Sequence, residues 1–570
     1  MHAPEPAASR APARGGWWLA APVAVLVPLG FVLVRQGRGE GRQAFEAELL
    51  YWMMPVLVLL WALVGAWRLR AAGFRPGASL RTAMPGLVGA LALVLLVVKV
   101  SPPAMRVQFD ETSLVSVSWG MHAQRAAVLT TTAVPFDGKV LGLESTVDKR
   151  PPLFAFLVSL VHDATGYRPG NAFVVNAALL GLLLAMVHAA VRRRLGLVAA
   201  FAAQLLLVAV PLLDVVATSA GFELLAVVLL AGTVLAGLDC ASAPEPVRQA
   251  WLLANCLLLA NARYESLVAA GVVFGLVLWR TRGAGLGDGR CRWLLALAPG
   301  LLTPLVFLFE NARRPDFYPE AMGQPLVALQ HGLDHVGPLL AALFAPGLAH
   351  AMPGLLAGFG AVACVVRLLQ RRGGFGDLLV ALPVLLLTTI SLVWFYGDVR
   401  EPTALRLFLP IAVAAVPAVL LCLDGYGRRW ATVALLAGAA LFAGLRLGAL
   451  QRGEALPRLQ IAATTAAIDA ALAAVPGADA RTLWVTCAAQ HLVVKGRAAM
   501  PAEALRRRWN DVQQLLRNRQ IEQVLLLGTP LDAAFAPQFG ALEPVLAAFR
   551  NEVAWRSAGD VPLTVWRLRL

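Results

Sequence analysis

A chain of 570 residues with 59% hydrophobic side chains and a mean hydropathy of +0.69 is too apolar for a water-soluble globule. Many of its apolar runs reach the roughly 17–25 residues a helix needs to cross a bilayer. They are continuous and rich in Leu, Ala and Val, which indicates helical spans and not the alternation of a membrane barrel. The formal charge of +15 does not indicate a nucleic-acid partner, because much of the arginine sits in short loops between spans, where it orients the chain.

The first 16 residues are polar, with Arg10 and Arg14, and an apolar run opens at Trp17. No clean Ala-x-Ala cleavage site follows, so the first helix is read as uncleaved. Spans are predicted at about 17–34, 49–67, 84–100, 171–191, 197–214, 219–237, 249–262, 265–280, 293–309, 352–369, 377–395, 405–423 and 430–449, about thirteen in all. With the N-terminus in the cytoplasm, the groups Arg68/Arg70/Arg75/Arg81, Arg192–Arg194, Arg280/Arg282/Arg290/Arg292, Arg367/Arg371/Arg372 and Arg428/Arg429 all fall inside. This threading requires that the short run Leu153–Val161, followed by His162-Asp163, does not cross; it is read as an interfacial or re-entrant helix. Gln324–Phe344 is read as a lid or a second interfacial helix. The topology is then N-terminus in, C-terminus out.

Beyond about Arg452 the character changes. Leu456–Val475 reads as a helix, Thr482–Thr486 and Ile521–Leu527 as short buried strands, and Ala502–Arg519 as a basic helix between them. Glu552–Trp555 and Leu563–Leu568 read as a closing hairpin. The fold class is an all-α polytopic membrane protein with a small C-terminal α/β domain outside the membrane. Its expected divisions are a tail with two extra spans (1–83), a membrane core (84–450) with a large outward loop (101–170), and the α/β domain (451–570). The cysteines Cys240, Cys256, Cys291, Cys364, Cys422 and Cys487 show no metal-ligand spacing, and only Cys487 lies in the outer domain, so a disulfide there is not expected.

Chemistry concentrates at the outward ends. Asp110-Glu111 opens the large loop; a carboxylate there can take a proton from a hydroxyl or hold a cation against a phosphate, or belong to a solvated acidic loop. Asp148-Lys149-Arg150-Pro151-Pro152-Leu153 closes the loop, and its cations suit either a bound phosphate or anchoring at the headgroups. Arg263-Tyr264-Glu265 joins two spans with almost no loop; ionisable groups so near hydrocarbon mark a site or an internal pair, Arg263–Glu265 or Arg263–Glu223. Arg400-Glu401 and Arg406 stand at another outward end. His331 and His335 beside Asp334 have a spacing that could ligate metal, but they read better as the polar face of an interfacial helix.

The order and shared sidedness of these motifs resemble the GT-C class of membrane glycosyltransferases, especially the branch of protein O-mannosyltransferases and lipid A aminoarabinose transferases. Asp110-Glu111 is similar to the Asp-Glu pair of that class, and Lys149-Arg150-Pro151-Pro152-Leu153 to its Lys-Pro-Pro-Leu element. Arg263-Tyr264-Glu265 and Arg406 look like its later charged helix ends. The resemblance spans about 84–450. Three departures separate the chain from both named subfamilies: two additional spans at the start, Lys-Arg-Pro-Pro in place of Lys-Pro-Pro, and no Tyr after the Asp-Glu pair.

The resemblance implies transfer of a sugar from a polyprenyl-phosphate-linked donor to a glycan, lipid or protein acceptor at the outer face of a bacterial inner membrane. It implies inversion at the anomeric carbon with Asp110 as general base. Glu111 would position the acceptor or a divalent metal ion, and Lys149, Arg150, Arg263, Glu265, Arg400 and Arg406 would bind substrate. The alternative, a transporter or flippase of a lipid-linked or anionic substrate, requires ionisable groups near span centres and inverted repeats. A non-catalytic membrane scaffold presenting the C-terminal domain leaves the outward charges unexplained.

Overall fold

The computed structural model describes residues 40–106, 108–281, 301, 304, 325, 327–343, 374–400, 402–411, 413, 428–451, 460–475, 477–478, 480–530, 532, 540–557 and 561–569. The expected spans at 17–34, 293–309 and 352–369, and most of 405–423, lie outside those residues. The chain opens with α1 (Glu40–Ala71), α2 (Pro76–Val100), α3 (Gln108–Gln124), strands β1 (Val128–Phe136) and β2 (Lys139–Val147), and α4 (Leu153–Thr165). Next come α5 (Asn171–Leu195), α6 (Leu197–Val208), α7 (Pro211–Ala217), α8 (Glu223–Ser242), α9 (Pro246–Ala260) and α10 (Ser266–Arg280). Then follow α11 (Leu329–Leu343), α12 (Phe375–Val393), a 3-10 segment at Pro402–Phe408, α13 (Arg428–Gln451) and α14 (Gln460–Ala474). The C-terminal part holds β3 (Thr482–Val485), α15 (Ala489–Val494), β4 (Ala499–Met500), α16 (Ala502–Arg507), α17 (Trp509–Arg517), β5 (Gln523–Gly528), α18 (Glu543–Ala548), β6 (Arg550–Arg556) and β7 (Thr564–Arg569).

Among the described residues, α1, α2, α5, α8 and α12 are long and apolar enough to cross a membrane. Leucines and other large apolar side chains stay exposed along their outer faces, as at Trp52, Leu59 and Leu63 on α1 and Leu91 and Leu95 on α2; that is the pattern of helices whose solvent is lipid. The expected span 197–214 is broken: Pro211 has no N–H, and the residue before it, Val210, is extended, so α6 stops and α7 restarts. Arg68 on α1 is clamped to Asp239 on α8 by contacts of 2.8–3.1 Å, and Arg248 joins them at 3.1 Å. This clamp lies about 24 Å along α8 from Glu223, at 1.5 Å per residue. Arg192–Arg194 and Arg280 end α5 and α10 on that same side of the bundle.

The segment read as a large outward loop is ordered. Its middle is a hairpin in which Phe136 pairs with Lys139 across Asp137-Gly138, both at positive φ; this is the Asp-Gly turn whose twist suits a two-residue connection. Helix α4, at 13 residues, is too short to cross, as expected, and one face of it packs on protein. Leu153, Phe154, Ala155, Phe156, Val158, Ser159 and His162 are buried against protein, and His162 is held by Ser118 at 3.0 Å and Asn171 at 2.9 Å.

The C-terminal sheet has the order β4-β3-β5-β7-β6. Strands β4, β3 and β5 are parallel, and β7 and β6 form an antiparallel extension. The expected strands and closing hairpin are present, and β4 is an addition that its short length hid. The basic segment 502–519 forms two helices, α16 and α17, in place of one. Helices cover both faces: Ile468, Ala471 and Leu492 pack on one, Leu505 and Val512 on the other. The hairpin joins these cores, Val134 in one and Ala133 in the other. Further ties are Arg508 to Glu144 at 2.8 Å, the Asp137 N–H to Gln520 at 2.9 Å, Ser113 to Gln490 at 3.3 Å and Tyr167 to the Val494 carbonyl at 2.6 Å.

A Cβ at Gly120 would stand 2.7 Å from the Val128 carbonyl oxygen, so α3 and β1 meet through a glycine. Gly120→Ala is expected to destabilise the protein by ~1–3 kcal/mol, read as a lower melting temperature. Gly271→Ala, where a Cβ meets open space, is the matched control and is expected to leave it unchanged or slightly higher.

Candidate active site

Asp110 and Glu111 fall in the first turn of α3, where the helix dipole favours carboxylates. On a helix, adjacent side chains point about 100° apart, and these two meet different surroundings. Glu111 turns inward and is 1% exposed. Its Oε2 accepts the N–H of Arg106 at 3.0 Å and that of Ala220 at 3.2 Å. Burial pushes its carboxyl up to about 7; the two N–H groups pull the other way and the charge of Glu223 adds to the rise.

Asp110 turns outward. Its Oδ1 accepts from Nη2 of Arg150 and its Oδ2 from Nη2 of Arg406. Burial alone would raise this carboxyl, but Arg150, Arg406 and Lys149 together hold it well below the usual carboxylate range. Arg150 also donates to Asp148 at 2.9 Å and 3.2 Å. On the other side, Arg406 brings Nε to 3.3 Å from Glu223, and Arg263 stands 3.9 Å from Glu223 and 2.5 Å from Glu265. The outcome is one row of alternating sign, Asp148–Arg150–Asp110–Arg406–Glu223–Arg263–Glu265. Five separate segments supply it: the β2–α4 connection, the start of α3, the 3-10 segment, the start of α8 and the α9–α10 connection.

A turn at 218–222 holds the parts in place. Asn176, fully buried on α5, donates to the carbonyls of Ser219 at 2.7 Å and Gly221 at 2.9 Å. Thr218 accepts from Arg106 at 2.8 Å, and the N–H of Ala220 is the one that Glu111 takes. The turn thereby links the start of α3 to the start of α8. Beside Glu223 opens a cleft with Arg263, Glu265 and Arg406 on its rim and Ala226, Leu230 and Leu387 on its wall. Glu223 Oε1 and Arg406 Nε face each other there at 3.3 Å, while Glu265 Oε2 and Arg263 Nε are buried with no hydrogen-bond partner among the described residues. One donor and one acceptor are therefore available to a ligand at one apolar-walled opening.

The sequence-nominated residues divide accordingly. Asp110, Arg150, Arg263, Glu265 and Arg406 are brought together, and the charge of Lys149 reaches Asp110. Arg400 instead pairs with Asp398, with contacts of 2.6–2.8 Å, and its side chain is 68% exposed. His331 and His335 stack on each other on α11 and bond to the carbonyls of Pro325 and Leu392, each at 2.8 Å. Two members of the row were not nominated for it. Asp148 was visible only as the start of a motif, and Glu223 only as a structural partner of Arg263. The available signal for Glu223 was a carboxylate opening a long apolar run.

No family model and no curated protein matches the chain in sequence. Among solved structures, it superposes on ArnT from Cupriavidus metallidurans bound to undecaprenyl phosphate with a TM-score of 0.52 at 14% identity, covering 86% of this chain and 98% of that one. The oligosaccharyltransferase of Archaeoglobus fulgidus matches with a TM-score of 0.42 at 13% identity, over 84% of this chain and 73% of that one. The fold is ArnT-like. In this fold the row of charges occupies the end of the bundle that carries the C-terminal domain, with Ser113, one turn after Asp110, bonded to Gln490 of that domain. Among the described residues no three His, Cys, Asp or Glu side chains are grouped to hold a metal ion. Each carboxylate of the row faces a guanidinium, so the positive charge a cation would bring is supplied by arginine.

Glu111 sets a pH dependence with a definite sign. Its unfolded carboxyl titrates near 4.5 and its folded one at about 7, so between these values the native state keeps a proton that the unfolded chain has lost. Stability then falls as pH rises from about 4.5 to about 7 and stays lower above it. Both N–H groups bond the same oxygen, so the amide oxygen of Glu111→Gln can accept them. This variant is expected to melt higher than wild type at pH 8 and to lose that slope. Identical slopes in thermal melts across the window would show that Glu111 does not titrate there.

Proposed function

We propose that this protein is a membrane glycosyltransferase that moves a sugar from a polyprenyl-phosphate-linked donor to an acceptor hydroxyl at the outer face of the membrane, with inversion. The observation that carries the reading is Asp110 with a guanidinium on each oxygen, one of which, Arg406, also lines an apolar-walled cleft. The fold adds support, since its match in ArnT was solved with undecaprenyl phosphate. The outward placement rests on the arginines at the opposite end of the bundle, which suit a cytoplasmic face.

The chemistry follows from charge conservation. The acceptor oxygen attacks the anomeric carbon, its proton passes to Asp110, and the bond from that carbon to the phosphate oxygen breaks. Asp110 loses one negative charge as the departing phosphate gains one. Arg150 and Arg406, which hold Asp110 before donor binds, pass to the phosphate, so the positive charge of the site stays matched. While both guanidiniums sit on Asp110 it is a poor base; a bound phosphate that draws them off restores its basicity. One carboxylate suffices because the leaving group is already good, unlike the pair needed for glycoside hydrolysis. A transporter reading would place its ionisable groups near span centres, whereas Asp110 and Glu223 lie in the first turns of their helices.

Asp110→Asn, in which Asp148 still pairs Arg150 and Glu223 still pairs Arg406, is expected to fold and to lower sugar transfer from lipid-phosphate donors by at least about 10²–10⁴-fold. The assay is transfer from polyprenyl-phosphate sugars identified by mass spectrometry of lipids that copurify with the protein. A fully active Asn variant would remove Asp110 as the base; copurification of bulk phospholipid alone would weaken the donor assignment.

A further inference from the structure

Glu223 has no role in the chemistry just described, yet it occupies the middle of the row. It is 3% exposed, and a buried carboxylate is retained at a cost unless it serves a purpose. Its placement is tightly constrained. A Cβ on Gly221 would lie 2.2 Å from Glu223 Oε2, so the backbone closes directly over the carboxylate through a glycine, and Asn176 locks the Gly221 carbonyl. Glu223 faces Arg406 and Arg263, the two guanidiniums on the rim of the cleft.

The charges in the row are nearly balanced before any phosphate arrives. Asp110, Asp148, Glu223 and Glu265 oppose Arg150, Arg263 and Arg406, with Lys149 alongside. A site selected only to grip phosphate would omit Glu223, because its charge repels the phosphate and occupies the arginines. A transferase must also release its product, a phosphate carrying one more negative charge than the donor's. Tight uniform binding of donor and product would retain that product and slow turnover.

Resting on the glycosyltransferase reading, we propose that Glu223 is a positioning residue that holds Arg406 and Arg263 at the rim of the cleft and weakens their grip on phosphate, so that the polyprenyl phosphate product can leave. It touches the arginines and not the reacting atoms. Removing its charge while keeping its shape leaves the two guanidiniums free to bind an anion more strongly, and leaves Arg406 committed to Asp110 whenever the phosphate is absent.

The test is binding of undecaprenyl phosphate to the purified full-length protein in detergent, together with transfer kinetics. Glu223→Gln is expected to bind undecaprenyl phosphate about tenfold tighter than wild type, with kcat and donor KM both reduced. Glu223→Asp, which keeps the charge but withdraws it by one methylene, is expected to lie between the two, and it carries the test if the Gln variant does not fold. A role as mere structural counter-ion moves affinity the opposite way, because displaced arginines bind phosphate less well. Unchanged or weaker binding by folded variants, with wild type binding normally, overturns the role of Glu223 alone. No binding of undecaprenyl phosphate by wild type overturns the donor assignment and this inference with it.

Discussion

The structure of the site depends on one carboxylate shared by two arginines. Arg150 lies 40 residues after Asp110, and Arg406 lies 296 residues after it. Each guanidinium is largely withdrawn from water, so neither charge can be left alone without a large desolvation cost. That requirement draws the β2–α4 connection, the start of α3 and the 3-10 segment to a single point at the end of the membrane bundle. The same interaction keeps Asp110 ionised and quiet. In the proposed reaction, a group held so far below its ordinary range would not deprotonate a hydroxyl until something else took its partners, which would couple the base to the arrival of an anion.

The frame behind this point is a turn and not a helix pair. The segment 218–222 receives Asn176, supplies an N–H to Glu111 and folds over Glu223, so the two acidic helix starts are fixed relative to each other through backbone groups. Glu111 and Asp110 thus divide the labour of adjacent positions on one helix. One is buried in backbone hydrogen bonds and orients α3; the other faces Arg150 and Arg406. The C-terminal domain extends this frame from above, because β1 and β2 contribute residues to its two cores and α15 rests on α3. A sugar-bearing substrate would therefore meet Asp110 at the junction of two units, a common place for ligand sites.

Much of this was legible in the chain. Length and apolarity required helices in lipid, and the Pro-Pro after Lys149-Arg150 marked the start of α4. The short apolar runs at Thr482–Thr486 and Ile521–Leu527, with the closing hairpin after them, announced the C-terminal sheet. The turn Asp137-Gly138 between apolar runs was a hairpin signal within the supposed loop, and it went unread because the segment was taken as a connection between spans. The break at Pro211 was equally visible, but a continuous apolar run outweighed it.

What the sequence determined by itself was the class of solvent, the helical periodicity and the ends of helices at which charges gather, because these depend on neighbouring residues. Which charge faces which depended on contacts between residues hundreds of positions apart, and only the tertiary structure decided that. Arg400 and Arg406 are equivalent in sequence, six positions apart beside the same helix end, yet one is exposed and pairs with Asp398 while the other caps Asp110. Glu223 looked like a counter-ion for Arg263 and became the centre of the row because Arg406 arrives from a separate segment. Pairing in a low-dielectric setting is settled by distance and direction, and neither is written in the order of residues along the chain.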